Sequence, residues 1–333
     1  HKKIEEDSQI IIGTHALIQE NIEFNNLGLA IIDEQHRFGV EQRKKLISAG
    51  TPHLLSMTAT PIPRSLALAM YGDLDLSIID EMPKNRKKIL TYIVPEKKRA
   101  DGYKFIREEI KKGRQVFVIC PLIDISDKLG VKSVKEEFEK LDKKVFHDLE
   151  IGFLHGKMPA RGGSASGGKH SKESIMQNFL ENKIKILVST SVVEVGVDVP
   201  NATVMIIEGA ERFGLAQLHQ FRGRVGRGEH QSYCFLFSGS NSEKTKNRLD
   251  ALTKNHNGLE LAKIDLKQRG PGQVYGKEQK GFPELKVASL NDYKLMKQAQ
   301  DQAIKLIKEN GNLEKWPILK EKIDNYNKKI HLE

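Results

Sequence analysis

Hydrophobic residues along this chain gather in short runs that are continuous rather than alternating, the pattern of strands buried on both faces. Such runs occupy residues 9–14, 27–33, 53–57, 91–94, 116–120, 151–154, 186–189, 204–207 and 233–237. Between them, apolar residues recur at helical spacing in three segments: 103–112 through Phe105, Ile106 and Ile110, 134–141 through Val134, Phe138 and Leu141, and 174–180 through Ile175, Met176, Phe179 and Leu180. Repeated strand-then-helix order predicts an α/β fold of parallel sheets covered by helices. The polar stretch 81–88 divides the first three strands from the next six, and a mainly helical, basic region is expected from about residue 238. Residues 161–169, built almost wholly of Gly, Ser and Ala, have no face to bury and read as a mobile loop.

Composition narrows the class. The 333 residues are 38% hydrophobic and 29% charged, as in ordinary globular proteins. No apolar run approaches the ~20 residues of a membrane helix, so no membrane partner is expected. Cys120 and Cys234 each sit inside an apolar run and read as buried thiols of a reducing compartment, which excludes a disulfide scaffold and places the protein in the cytoplasm. The net charge is +10, and residues 241–333 carry 19 basic against 13 acidic side chains, a surplus of six that favours a polyanionic partner near that end. The first residue is His1 rather than Met, and the chain is read as beginning inside a longer gene product.

Four strand ends carry candidate chemistry. Asp33-Glu34-Gln35-His36 follows the second run, where open α/β sheets place ligands. One carboxylate there can hold Mg²⁺ through its waters while the next orients an attacking water. Thr58-Ala59-Thr60-Pro61 closes the third run with hydroxyls able to join a carboxylate network. Ser189-Thr190-Ser191 leads to Gly196 and Asp198, a glycine that admits a phosphate and an acid that accepts from a ribose hydroxyl. Taken singly, solvated acids, turn-forming threonines and a simple turn before Pro200 account for these three. In Gln220-Phe221-Arg222-Gly223-Arg224-Val225-Gly226-Arg227, the arginines at 224 and 227 are expected to project from one side of a helix and suit a nucleotide's γ-phosphate.

In this order the four elements resemble motifs II, III, V and VI of the superfamily 2 helicases. The intervening text, including Gly13-Thr14-His15-Ala16-Leu17-Ile18-Gln19, Tyr71-Gly72-Asp73-Leu74-Asp75 and Glu211-Arg212-Phe213-Gly214-Leu215, is similar to the RecG family of branched-DNA helicases. The resemblance implies two RecA-like domains with ATP bound between them: residues 1–88 as the C-terminal part of the first, 89–240 as the second, and 241–333 as a translocation motif with C-terminal helices. It implies Asp33 and Glu34 at the Mg²⁺ and hydrolytic water, Arg224 and Arg227 at the phosphates, and Gly196, Asp198 and Gln220 at the nucleotide. His36, Thr58 and Thr60 would couple nucleotide state to domain closure. Residues 261–281 resemble the family's translocation motif, with Arg269 and Gln279 contacting DNA phosphates or motif VI. A monomer acting on duplex and branched DNA, such as stalled forks and Holliday junctions, follows, as does contact with a single-stranded-DNA-binding protein.

The chain departs from the family pattern in two respects: residues 161–169 read as an insertion where the family has a much shorter link, and the phosphate-binding loop is missing. No phosphate-binding P-loop precedes Asp33, and the Gly-x4-Gly-Lys spacing of Gly163 to Lys169 does not replace it: His170 stands where a hydroxyl should ligate Mg²⁺, no apolar strand leads into Gly163, and the order is wrong. These residues alone are therefore expected to bind ATP poorly and hydrolyse it negligibly, and the family's fork-recognising wedge domain would lie upstream. Two alternatives stay open: a transcription-repair coupling translocase, whose family shares the translocation motif, and a DNA-binding segment without catalysis.

Overall fold

The structure, a computed structural model, describes residues 9–18, 24, 26–34, 52–58, 77, 79, 81, 83, 86–121, 134–155, 158–159, 171–190, 198–240, 242–258, 260–261, 264–265 and 293–331. Contacts divide the chain into two compact units, His1–Ile62 and Pro63–Glu333.

In the first unit, β1 (Leu29–Asp33) and β2 (His53–Met57) pair in parallel, Leu29 opposite His53 and Asp33 opposite Met57. Ala30 and Ile32 point inward while Leu29 and Ile31 are exposed. The register brings Glu34, just past β1, level with Thr58, just past β2. Residues 9–14, expected as a strand, have no ladder partner among the described residues and run into a short 3₁₀ turn at His15–Ile18. The apolar run is genuine, but Ile10 is 82% and Ile12 92% exposed, so nothing in the described structure rewards pairing them.

The second unit holds six parallel strands: β3 (Leu90–Val94), β4 (Gln115–Ile119), β5 (Ile151–Leu154), β6 (Ile186–Ser189), β7 (Ala202–Ile207) and β8 (Tyr233–Phe237), in the order β3-β8-β7-β4-β6-β5. Consecutive side chains feed opposite cores, which is why the central runs are apolar throughout. On one face Phe117, Leu187, Met205 and Leu236 pack with Phe179 of α3 (Lys172–Leu180), Leu218 and Phe221 of α4 (Leu215–Arg222), and Leu252 of α5 (Glu243–Lys254). On the other, Val116, Val118, Val204, Ile206 and Phe237 meet Ile106 and Ile110 of α1 (Arg99–Lys111) and Leu141, which follows α2 (Val134–Lys140) and opens a single π-helical turn at Leu141–Val145. Both cysteines are fully buried. Two further helices, α6 (Tyr293–Glu309) and α7 (Pro317–His331), follow.

Helix starts follow their caps: Ser171 accepts from the Ser174 amide at 3.1 Å and Ser242 from the Thr245 amide at 3.2 Å. A buried ion pair ties the sheet's carboxyl end to α1. Arg99 donates to both oxygens of Glu208, at 2.8 and 2.9 Å, with its guanidinium over the Phe237 ring. Burial and the charge of Glu137 raise the Glu208 carboxyl above its ordinary range, and Arg99 opposes them.

Candidate functional site

The strand ends gather the predicted residues in two places, one in each unit. In the first, Asp33 ends β1 and Glu34 follows it in the left-handed region at φ 51°, a conformation that costs a non-glycine residue about 1 kcal/mol or more. The turn swings the Glu34 carboxylate toward β2, where the Thr58 hydroxyl donates to its Oε2 at 3.4 Å. Two adjacent carboxylates are hard oxygen donors that suit Mg²⁺, an ion that takes its remaining ligands from water and phosphate oxygens. His36 and Thr60 lie outside the described residues.

In the second unit, Ser189 and Thr190 end β6 and are buried. The Ser189 hydroxyl donates to the Thr190 carbonyl at 2.7 Å, while Thr190 Oγ1 is buried without a hydrogen-bond partner among the described residues. An orphaned hydroxyl at a strand's carboxyl end fits a site whose polar ligand completes it. Gly196 lies outside the described residues, and Asp198 is exposed, with Oδ1 3.7 Å from Arg227 Nη1. The acid expected at a ribose thus sits beside an arginine expected at phosphate.

Those arginines do not share a helix face. Helix α4 stops at Arg222 with Gly223 as its cap, and one tightened turn follows, the Arg224 amide donating to the Phe221 carbonyl at 3.0 Å. Val225 is buried, and Gly226 then takes φ 76°, which breaks the spiral. Arg224 and Arg227 therefore flank a left-handed glycine in a turn, and Gln220 lies half-buried one helical turn earlier. The helical expectation failed because three-residue spacing is shared by both geometries and Gly226 decides between them.

One participant went unread in the sequence. Arg222 sits on the buried side of α4 with Leu215 and Leu218, at helical spacing that places an arginine on the apolar stripe. Its Nη1 donates to the carbonyls of Leu252 at 2.6 Å and Asn255 at 3.0 Å, at the C-terminal end of α5, where the helix dipole is negative. Its Nη2 donates to His219 Nδ1 at 2.9 Å. Burial first, then the charges of Arg222, His256 and Arg86, push the His219 imidazole down to about 4, so it is neutral and free to accept. Arg222 thereby pins the start of the arginine turn to the end of α5. Residues 161–169, Arg269 and Gln279 lie outside the described residues.

Comparison with known proteins places both units. Residues 1–69 match the DEAD/DEAH box helicase family and residues 98–229 the helicase conserved C-terminal domain. The chain is 49% identical over 316 residues to the ATP-dependent DNA helicase RecG of Synechocystis sp., covering 94% of this chain and 37% of that protein. It is 51% identical over 294 residues to the protein of that name from Thermotoga maritima, covering 88% of this chain and 36% of the relative. A solved structure of RecG bound to a three-way DNA junction superposes with a TM-score of 0.63 at 47% identity, over 89% of this chain and 37% of that one. Dbp5 of S. cerevisiae bound to RNA and ADP BeF3 superposes with a TM-score of 0.51 at 16% identity, over 80% of this chain and 71% of that one, a likeness of fold alone. The chain thus spans less than two fifths of the RecG proteins it matches here. With about half of its residues identical across nearly its whole length, this chain is a homologue of the RecG helicases over the part it shares with them.

Proposed function

We propose that these residues form motor elements of an ATP-dependent helicase that remodels branched DNA, including stalled forks and Holliday junctions, in the cytoplasm and as a monomer. The observation that carries the reading is the 49% identity over 316 residues to a protein named ATP-dependent DNA helicase RecG, and a RecG structure bound to a three-way DNA junction supports the branched substrate. Bound MgATP supplies the phosphoanhydride whose cleavage drives the motor. Asp33 would hold the Mg²⁺ of the bound nucleotide, and Glu34, fixed by its left-handed backbone and by Thr58, would orient the attacking water and take its proton. Arg224 and Arg227 present rigid guanidiniums to the phosphate oxygens, and Asp198 holds Arg227 beside the place where it works. Gln220, near the end of α4, and Thr190, whose hydroxyl has no hydrogen-bond partner among the described residues, add polar groups from the second unit. His36, Thr58 and Thr60 couple nucleotide state to closure. Arg269 and Gln279 engage the DNA backbone, in keeping with the basic surplus of residues 241–333.

The test is Glu34→Gln in the full gene-encoded protein. DNA-stimulated phosphate release is expected to fall by about 10²–10⁴-fold while binding to a three-way junction persists. Unchanged hydrolysis in that variant, or a wild-type protein indifferent to branched DNA, overturns the reading.

A further inference from the structure

The arginine turn is also held from a direction the helicase motifs do not supply. Arg86 lies in the polar stretch that precedes β3, far from the turn in sequence, yet its Nε donates to the Gly226 carbonyl at 3.1 Å. Gly226 is the left-handed residue between Arg224 and Arg227, and its own backbone lies flush against the same stretch. A Cβ built there would stand 2.9 Å from Ile89 Cγ1. Ile89 is itself buried within the core that holds Val225. Neighbouring contacts repeat the docking, since Gln231 Nε2 donates to the Lys88 carbonyl at 2.8 Å and the Leu90 amide to the Ser232 carbonyl at 3.0 Å. Residues 86–90 are thus laid along the segment that runs from the arginine turn into β8.

The electrostatics add a second point. Arg86 bonds to a carbonyl, and Arg222 bonds to carbonyls and a neutral imidazole. A guanidinium that spends its donors on uncharged acceptors keeps its full positive charge. Arg86 is near enough to His219 to help hold that ring neutral, so its field reaches the base of the turn. A turn that carries two arginines, backed by two further guanidiniums that bond uncharged acceptors among the described residues, is preorganised for negative charge.

We propose that Arg86 is a positioning residue for Arg224 and Arg227: it seats the Gly226 carbonyl, and with Ile89 fixes the turn from which both arginines reach the phosphates. The inference rests on the functional reading above and deepens it. Misplacing charged donors by about 1 Å at a reacting phosphate costs up to about 10²-fold in rate, and loss of one of two supports is expected to cost about tenfold.

The experiment measures DNA-stimulated ATP hydrolysis by the full gene-encoded protein with Arg86→Ala, Arg86→Lys, Arg227→Ala and the Arg86→Ala/Arg227→Ala pair. Arg86→Ala is expected to lower kcat about tenfold with KM for ATP within about twofold, because the arginines act on charge that develops in the transition state. Arg86→Lys, which keeps a donor and the charge, recovers kcat to within about threefold of wild type. In the Arg227→Ala background, where only Arg224 is left to position, the further loss of Arg86 lowers kcat by about threefold rather than about tenfold, since its effect passes through the turn. A residue that only stabilises the fold would lower activity equally in both backgrounds, and that additive result overturns the proposal, as does an Arg86→Ala kcat equal to wild type. Should Arg86→Ala unfold at the assay temperature, Arg86→Gln carries the same comparisons. A wild-type protein without DNA-stimulated hydrolysis refutes the functional reading itself and this inference with it, whereas normal wild-type hydrolysis with an additive cycle refutes the inference alone.

Discussion

Acid should loosen the second unit through one imidazole. In the folded chain His219 takes its proton only near pH 4, against 6.5 in its ordinary state, because it is buried beside Arg222 and its Nδ1 already accepts a hydrogen bond. The unfolded chain has no such restraint. Between these values the unfolded state binds a proton that the folded state refuses, so stability falls as pH drops through about 6.5 and the loss is complete near the folded value. From pH 7 to pH 5 the difference amounts to about 2 kcal/mol, at 1.36 kcal/mol per unit of displacement. The comparison is with His219→Asn, whose side-chain oxygen stands near the position of Nδ1, can accept from Arg222 and does not titrate. Urea unfolding followed by far-ultraviolet circular dichroism at pH 7, 6 and 5 should show the wild-type midpoint falling by roughly 1 M more than that of the variant, for a slope of about 2 kcal/mol/M. Carboxylates and His256 contribute equally to both proteins and cancel. Parallel pH dependences in wild type and His219→Asn would refute the assignment of a neutral, acceptor His219.

Other perturbations give separate checks. Gly226→Ala forces a side chain into the left-handed region with its Cβ 2.9 Å from Ile89, and should cost about 2 kcal/mol or more in thermal unfolding, whereas Gly223→Ala, in right-handed backbone with ordinary contacts, should stay within about 0.5 kcal/mol. Arg99→Met strands the Glu208 carboxylate in the interior beside Glu137 and should destabilise by about 3–5 kcal/mol in urea; adding Glu208→Gln should recover part of that loss, and no recovery would show that the ion pair is not the cause. Cys120 and Cys234 are fully buried, and burial pushes the Cys234 thiol up to about 12, so a disulfide-exchange reagent should label neither in the native chain and both in denaturant.

How much of this was legible in the sequence varies with the kind of residue. The runs at 151–154, 186–189 and 233–237 became strands with the bounds expected, because a short apolar run with polar ends has few other ways to bury both faces. Residues 9–14 carry the same kind of run without a neighbour to pair with among the described residues, and pairing is a property of the partner as much as of the run. The candidate residues Asp33, Glu34, Thr58, Ser189 and Thr190 were legible as types at strand ends, where the structure places them. The geometry of Arg224 and Arg227 was not, since three-residue spacing describes a helix and a glycine-broken turn equally. Least legible were Arg86 and Arg222. An arginine that donates to distant carbonyls looks in a sequence like any other, and the acceptors at Gly226, Leu252 and Asn255 are backbone atoms with no letter of their own.

The strand order has a consequence for how such a chain is made. β3 is the first of the six strands to be synthesised and, among the described residues, pairs only with β8, the last, Leu90 opposite Tyr233. Until β8 leaves the ribosome, β3 waits as an open edge carrying Leu90 and Tyr92, an invitation to wrong pairing and a natural place for a chaperone to bind. Residues 86–89 belong to the same waiting segment, and the turn they seat comes just before β8. Residues 224–227 therefore take their described conformation only as the six-stranded sheet is completed.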